Sequence, residues 1–541
     1  MRRLTALAFA FLLAVPILPS AQSPPAEPAI RLVLLIAVDQ LRFDYLTRFR
    51  GEFRHGFARL LNDGAVFTNA YHDHYPTVTA IGHATMLSGA TPAVSGIIGN
   101  DWYDRALGAS VTSVEDPNTR TVGGTPGAGA SPHRLLVSTV GDELKTVSGP
   151  GADRERPRVF GLSLKDRSAI LPAGHRANGA FWFDTTTGTF ESSTWYGAEL
   201  PAWVAEFNAR KPADAYAGRT WEFAGGPEGK GRMMPAAPGR PLYAAVYGSP
   251  FGNELLASLA ETALAAERLG QRGVTDLLSV SFSSNDSVGH SYGPDSPEVH
   301  DITVRTDEVI GRLLAKVDEL VGLDRTLVVL TADHGVSPVP ETLAEAKMPG
   351  GRMAGEALFG PIEAALDLRF GEGKWILATA GSSPYLNHGL VAERELDAGD
   401  VRRVAAAAAA GVPHVARVYT RDQILRGDIP PDTIGRRVLR SYRADRSGDL
   451  EIILDPYWIR SGSGTTHGTP YTYDAHVPIV FLGPGIRAGW YHATVAVNDI
   501  APTVATLIGV QIPSGSDGRV LAEMLAPVAV PPAAPHSTAG Q

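Results

Sequence analysis

The chain has 541 residues, of which 44% are hydrophobic and 19% charged, and its formal net charge is −9. This composition supports a large apolar core, so disorder over most of the length is excluded, and the mildly acidic charge predicts no dedicated nucleic-acid partner. The chain contains no cysteine, which excludes disulfides, iron–sulfur clusters and cysteine nucleophiles. Any bound metal ion must therefore be held by His, Asp and Glu.

The first 23 residues have the three parts of a secretory signal peptide. Arg2 and Arg3 precede an apolar run over 4–18, and the small residues Ser20, Ala21 and Ser23 follow. The run is shorter than the roughly 20 residues that cross a bilayer, which disfavours the alternative of an uncleaved membrane anchor. We therefore expect a periplasmic or secreted protein with no stable membrane anchor.

Four continuous runs rich in β-branched residues predict buried strands of the kind found in parallel sheets. These runs occupy residues 32–38, 277–282, 327–330 and 478–482. Apolar residues recur at three and four positions over 253–268 and 296–320, which predicts helices between the strands. The alternation indicates an α/β fold with a wound, mostly parallel central sheet, helices on both faces, and inserted cap or loop excursions.

Local composition predicts how the chain is divided into segments. Stretches rich in Gly, Pro and Ala interrupt the alternation of strands and helices, and the last residues are rich in Pro and Ala. The expected organisation is a signal peptide at 1–23, a catalytic domain over 24–525 with insertions at about 101–275 and 336–465, and a disordered tail over 526–541.

Acidic residues and histidines follow three of the predicted strands, at the edge where wound sheets bind ligands. These residues are Asp39, Asp286, His290, Asp333 and His334, and His467 lies in a Gly-flanked loop before the fourth strand. One such acidic residue alone would more often cap a turn, but the set of N and O ligands suits two zinc-like ions. Asp286 and His290 are four residues apart, so one helical turn would let them share an ion.

Two further segments carry polar groups with more than one interpretation. Thr79, in the Pro- and Gly-marked segment 75–85, is either a helix cap or a nucleophile that a divalent ion would activate, and His83 is expected to be structural. An apolar run from residue 159 ends in Lys165 and Arg167, which strand alternation would place on the same side. Two such cations can bind a dianionic phosphoryl group, or they can mark a solvated strand end.

The motifs, taken in order, resemble those of the alkaline phosphatase superfamily. They cover residues 38–42, 76–79 with 82–83, 99–103, 165–167, 286–290, 332–335 and 466–468. Within the superfamily the chain is similar to the bacterial single-chain, phosphate-irrepressible alkaline phosphatases, near the nucleotide pyrophosphatase/phosphodiesterase branch. The resemblance extends from about residue 31 to about residue 525.

The resemblance implies a site with two zinc ions and four catalytic residues. One ion would be bound by Asp39, Asp333, His334 and the alkoxide of Thr79, and the other by Asp286, His290 and His467. The catalytic residues would be Thr79 as nucleophile, with Asn100, Lys165 and Arg167 as donors to the phosphoryl oxygens. Lys165 and Arg167 are the pair that separates this type from typical diesterases of the neighbouring branch.

The implied activity is zinc-dependent hydrolysis of phosphate monoesters through a phosphothreonine intermediate, with inorganic phosphate released outside the cytoplasm. The expected partners are small-molecule phosphate esters, and the expected state is a monomer. The main alternative is a phosphodiesterase or nucleotide pyrophosphatase that uses the same two-metal site. A sulfatase is disfavoured because cysteine is absent, and a non-catalytic binding protein because every expected catalytic residue is present.

Overall fold

The structure, a computed structural model, describes residues 29–147, 156–223 and 231–526. The expected signal peptide at 1–23 lies outside the described residues, as does the expected tail except for its first residue. No helix within the described ranges is long and apolar enough to cross a membrane.

The secondary structure of the described residues alternates between strands and helices. The strands are β1 (Leu32–Val38), β2 (Ala65–Tyr71), β3 (Asp101–Asp104), β4 (Ala109–Thr112), β5 (Glu115–Val122), β6 (Ala128–Ala130), β7 (Val159–Ser163), β8 (Gly179–Asp184), β9 (Thr189–Ser193), β10 (Thr220–Trp221), β11 (Arg232–Met233), β12 (Asp276–Phe282), β13 (Thr326–Thr331), β14 (Gly351–Arg352), β15 (Ile376–Ala380), β16 (Ser383–Leu386), β17 (Val415–Thr420), β18 (Leu450–Leu454), β19 (Trp458–Ile459), β20 (Ile479–Leu482) and β21 (Gly489–Ala496). The α-helices are α1 (Phe43–Arg48), α2 (Gly56–Asp63), α3 (Thr79–Ser88), α4 (Pro92–Ser95), α5 (Val140–Val147), α6 (Asp166–Ala173), α7 (Ala202–Ala209), α8 (Arg240–Tyr247), α9 (Pro250–Ala266), α10 (Ser284–Tyr292), α11 (Pro297–Leu320), α12 (Pro340–Glu345), α13 (Gly355–Phe370), α14 (His388–Glu393), α15 (Ala398–Ala410), α16 (Arg421–Arg426), α17 (Thr433–Ser441), α18 (Thr472–Ala475) and α19 (Ile500–Ile508).

Eleven of the described strands form one central sheet in the order β21-β2-β20-β13-β1-β12-β7-β8-β9-β5-β6. The middle of the sheet, from β13 to β8, is parallel, which confirms the predicted α/β class. The expectation of a parallel strand at 478–482 was wrong, because β20 runs antiparallel to both of its neighbours. Its continuous apolar run reflects burial on both faces, which a central strand of either direction requires.

Strand β1 positions the functional edge of the sheet. Every residue of β1 is fully buried, and the strand pairs in register with β12 on one side and β13 on the other. Val38 is opposite Phe282, and Ala37 is opposite Thr331, so the three strands end at the same level. The residues that follow them therefore meet at one edge of the sheet.

The two expected insertions differ in structure. The segment 101–275 contributes β5, β6, β7, β8 and β9 to the central sheet, so it extends that sheet. The segment 336–465, here called the cap, packs around a core of its own in which Leu358, Ile362 and Trp375 are fully buried. The cap therefore has an independent apolar centre above the functional edge.

Helix α3 packs closely against the end of β13. All ten of its residues are buried. Gly82 faces Asp333, the second residue after the end of β13. A Cβ atom added to Gly82 would lie 2.3 Å from the backbone oxygen of Asp333 and 2.6 Å from its Cα. Only glycine permits this approach, which fixes Thr79, the first residue of α3, beside the ends of the strands.

We expect Gly82→Ala to destabilise the protein by roughly 1–3 kcal/mol, because the added methyl group overlaps backbone atoms that cannot move aside. Thermal unfolding would measure the effect, and Tm should fall. Gly411→Ala is the matched control, since Gly411 has φ −81° and its added Cβ would make ordinary contacts of 3.4 Å or longer. Equal Tm values for the two variants would contradict the packing argument.

Candidate active site

Two groups of side chains at this edge have the composition and spacing of metal ligands. Within each group, one ligand atom from each residue lies within 4.8 Å of the others. The first group is Asp39, Asp333 and His334, and the second is Asp286, His290 and His467. The structure thus brings together all six Asp and His residues that the sequence pattern singled out.

Helix α10 places two members of the second group on one face. Asp286 is in the first turn of the helix and His290 is one turn later, so their side chains meet, with Asp286 Oδ1 3.2 Å from His290 Nε2. This confirms the expected helical arrangement. His467 comes from the loop before β20, and its Nε2 lies 3.8 Å from the same carboxylate oxygen.

The three histidines are oriented in the same way by backbone carbonyl groups. Their Nδ1 atoms contact the oxygens of Thr465 for His290 (2.7 Å), Gly335 for His334 (2.9 Å) and Thr77 for His467 (2.8 Å). A carbonyl oxygen only accepts, so each Nδ1 must carry the proton and donate it. Each Nε2 therefore presents a lone pair to the site, as a metal-binding imidazole does.

Two carboxylate oxygens of the first group are buried and accept no hydrogen bond from the described part of the chain. Asp39 Oδ1 and Asp333 Oδ2 have no hydrogen-bond partner among the described residues. The Nε2 atom of His334 lies 3.5 Å from the first oxygen and 3.4 Å from the second. Buried carboxylate oxygens are costly unless a cation or a donor compensates them, so this donor set fits a bound divalent ion.

Lys165 connects the two groups electrostatically. Its buried ammonium donates one hydrogen bond of 2.6 Å to Asp39 Oδ2 and another of 2.6 Å to Asp286 Oδ2. Burial alone would lower the pKa of Lys165, but these two carboxylates raise it above its ordinary value. An ammonium group has three hydrogens, so one donor is left for a ligand.

Arg167 lies beside Lys165, but not for the reason the sequence indicated. Strand β7 ends at Ser163 and α6 begins at Asp166, so Lys165 is the N-cap of the helix and Arg167 lies in its first turn. The assumption of a continuous strand with alternating sides was wrong here, because the chain turns at the end of the sheet. The Arg167 Nε atom is buried without a partner among the described residues.

Thr79 and Asn100 meet at the start of helix α3, next to the first ligand group. Thr79 is 1% exposed, and its Oγ1 lies 3.4 Å from the Nε2 of His334. The amide N–H of Ala80 donates to Asn100 Oδ1 at 2.8 Å, which fixes the carbonyl end of that side chain. The Asn100 NH2 group makes no hydrogen bond within the described ranges, so it is available to donate to a ligand.

His83 has the structural position expected for it. Its Nδ1 contacts the backbone oxygen of Thr79 at 2.9 Å and lies 3.3 Å from Asp333 Oδ2, while its Nε2 contacts the hydroxyl of Ser281 at 2.7 Å. The buried imidazole thereby connects α3 to the ends of β12 and β13.

Sequence reasoning missed the role of Gln40. Its side-chain amide donates to Asp286 Oδ1 at 2.6 Å, and its backbone N–H donates to Asp333 Oδ1 at 3.1 Å, so it contacts both groups. Its backbone is left-handed, with φ +67°. Gln40 lies inside the motif at 38–42, but the sequence alone does not indicate that a glutamine there contacts both ligand groups.

Comparisons with known proteins agree with this geometry. The family model for type I phosphodiesterase / nucleotide pyrophosphatase matches residues 33–476. Alkaline phosphatase PafA of Elizabethkingia meningoseptica is 37% identical over 536 residues, or 93% of this chain and 96% of PafA. Alkaline phosphatase PhoV of Synechococcus elongatus is 37% identical over 530 residues, or 92% of this chain and 93% of PhoV. The crystal structure of wild-type PafA matches with a TM-score of 0.84 at 35% identity, covering 93% of this chain and 100% of that one.

The fold and the paired ligand groups define a hydrolase of the alkaline phosphatase superfamily. Within it, the chain belongs to the type I phosphodiesterase / nucleotide pyrophosphatase family and is an enzyme of the alkaline phosphatase type. This confirms the superfamily that the sequence motifs indicated.

Because Lys165 compensates two buried carboxylates, we expect Lys165→Met to destabilise the metal-free protein by about 3–5 kcal/mol. Urea unfolding in the presence of a chelator would measure this change. Lys374→Met is the control, since Lys374 is exposed and its substitution should change stability by no more than about 0.5 kcal/mol. An unchanged urea midpoint for Lys165→Met would show that the ammonium does not neutralise these carboxylates.

Proposed function

We propose that the protein hydrolyses phosphate monoesters in a zinc-dependent reaction through a phosphothreonine on Thr79, and releases inorganic phosphate outside the cytoplasm. The observation that carries this proposal is the 3.4 Å approach of the Thr79 hydroxyl to Nε2 of His334, a member of the first ligand group. The similarity to PafA and PhoV, both alkaline phosphatases, supports the monoester reaction. The signal-peptide pattern of the first 23 residues supports the location.

The donor sets support two zinc ions. Asp39, Asp333 and His334, with the oxygen of Thr79, would hold one ion, and Asp286, His290 and His467 would hold the other. Mixed imidazole and carboxylate ligands favour zinc over calcium or magnesium, which rarely bind imidazole. Bound zinc would supply Lewis acidity, which lowers the pKa of a hydroxyl and stabilises negative charge on oxygen.

The proposed reaction has two displacement steps at phosphorus. The Thr79 oxygen forms a bond to phosphorus while the bond from phosphorus to the leaving oxygen breaks, and water then cleaves the phosphothreonine. Two in-line displacements retain the configuration at phosphorus. Asn100 is held by the Ala80 N–H so that its NH2 group can donate to a phosphoryl oxygen, and this positioning lowers the barrier electrostatically.

The cations support a preference for monoesters over diesters. A monoester carries two negative charges on its phosphoryl oxygens and a diester carries one, so contacts with Lys165 and Arg167 favour the monoester. The second candidate is a phosphodiesterase or nucleotide pyrophosphatase at the same site, which the description of the matching family model favours. The two candidates differ in the role they give to these two side chains.

We expect Thr79→Ala to abolish turnover of p-nitrophenyl phosphate while the zinc content stays near that of the wild type, because the other six ligands remain. Steady-state kinetics with elemental analysis would measure both quantities. Thr79→Ser is the matched control, since it keeps a hydroxyl and should keep measurable turnover. Full turnover by Thr79→Ala would exclude the phosphothreonine.

We expect Lys165→Ala combined with Arg167→Ala to lower kcat/KM for p-nitrophenyl phosphate more than for bis-p-nitrophenyl phosphate, because the dianion loses more charge compensation. The ratio of the two values is the readout, and zinc content is checked in parallel because Lys165 contacts two ligand carboxylates. Arg176→Ala removes a cation beyond the other end of α6 and should leave the ratio unchanged. Equal losses for the two substrates would favour the diesterase candidate.

A further inference from the structure

A cavity of about 350 Å³ adjoins the site on the side of the cap. Residues within 75–78, 98–101 and 466–470, which include Asn100 and His467, line its side toward the site, and residues of the cap within 380–385 and 438–461 line the other side. This volume lies within the range of small-molecule pockets. The part of an ester that is attached to the phosphoryl group can therefore extend from the site into the cap.

Glu451 brings a nearly unpaired carboxyl group into this cavity. The residue is 9% exposed, and its Oε2 accepts a hydrogen bond of 2.6 Å from the Ser383 hydroxyl. Within the described residues it makes no other side-chain hydrogen bond and no ion pair. Burial raises its pKa to about 7, so the group is ionised under alkaline conditions. A buried carboxylate with one neutral donor favours a cationic partner.

Arg460 lines the same cavity. Its guanidinium carbon lies 4.7 Å from the centre of the Phe359 ring, and the side chain makes no hydrogen bond or ion pair with the rest of the described chain. Its Nε is buried without an acceptor, and burial lowers its pKa. Arg460 and Glu451 do not pair with each other, so each can bind a ligand group of opposite charge.

Aromatic rings line the space around these two charges. They belong to Tyr75, Tyr385, Tyr442 and Trp458. The three tyrosine hydroxyls donate to backbone oxygens of Ile452 (3.1 Å), Arg446 (2.8 Å) and Gly448 (2.7 Å). Because these hydroxyls are already used, the rings offer the cavity mainly their apolar surface, which suits an aromatic group.

We propose that the cavity binds the alcohol part of an aromatic phosphate monoester that carries both an ammonium and a carboxylate group, as O-phosphotyrosine does. Glu451 binds the ammonium, Arg460 binds the carboxylate, and the aromatic ring packs among the tyrosines. A zwitterion is the one ligand class that pairs both charges without adding net charge to the cavity. The inference rests on the proposed function, because it assumes that the phosphoryl group lies at Thr79.

The test uses four esters that share a 4-alkylphenol leaving group, so that their chemical steps are comparable. They are 4-ethylphenyl phosphate with neither charge, tyramine phosphate with the ammonium, 3-(4-phosphooxyphenyl)propanoate with the carboxylate, and O-phosphotyrosine with both. The zinc-loaded wild type should give a kcat/KM for phosphotyrosine about tenfold above that for 4-ethylphenyl phosphate.

The variants separate the two contacts. In the wild type, kcat/KM should be higher for substrates with the ammonium than for matched substrates without it. Glu451→Gln should bring this ratio of kcat/KM values close to one. Arg460→Gln should remove the advantage of the carboxylate in the same way. Glu372→Gln makes the same chemical change on the exposed surface of the cap and should keep the wild-type ratios. If Glu451→Gln fails to fold, the inference is tested by Arg460→Gln, through the ratio of kcat/KM for substrates with and without the carboxylate.

Two results would overturn the inference: no preference for phosphotyrosine in the wild type, or substrate ratios that are the same in every variant. If 4-ethylphenyl phosphate is not hydrolysed at all, the proposed function fails instead. The cavity is then tested by calorimetric binding of 4-(phosphonomethyl)phenylalanine and benzylphosphonate, which need no turnover. Equal affinities of the two phosphonates for the wild type would refute the pocket, and tighter binding of the amino acid that Glu451→Gln abolishes would support it.

Discussion

The arrangement of this molecule depends on the burial of three carboxylates at one edge of a sheet. Asp39 and Asp333 follow the ends of β1 and β13, Asp286 lies in the first turn of the helix that follows β12, and none is more than 5% exposed. Burial and the two neighbouring carboxylates raise the pKa of Asp39, so negative charge here must be compensated. The ammonium of Lys165 and the side-chain amide of Gln40 donate hydrogen bonds to these carboxylates and meet part of this requirement.

Much of the site could be predicted from sequence because its determinants are local. Continuous apolar runs identify β1, β12 and β13, and the polar residue after each run is fixed by where the run ends. Parallel strands in register then bring those residues together without further information. The four-residue spacing of Asp286 and His290 works in the same way, since one helical turn suffices to join them.

The features that sequence reasoning missed depend on distant contacts. The direction of β20 is set by its pairing with β2 and β13, and an apolar run looks the same in either direction. The chain turns after Ser163 because the pairing of β7 with β12 ends there. The short polar run that follows does not by itself predict a helix. The cavity between the cap and the sheet likewise brings together residues several hundred positions apart, and no periodicity could reveal it.

The cap also has a consequence for the order of folding. Strands β13 and β20 are hydrogen-bonded neighbours, yet the whole cap lies between them in the chain. Closing so long a loop costs conformational entropy, and a cap that collapses around its own core first shortens the span to be closed. His467 is the one ligand of the two groups that follows the cap, so the group of Asp286, His290 and His467 is complete only after that closure. Chains released too early would then be rich in secondary structure and yet lack the third side chain of the second ligand group.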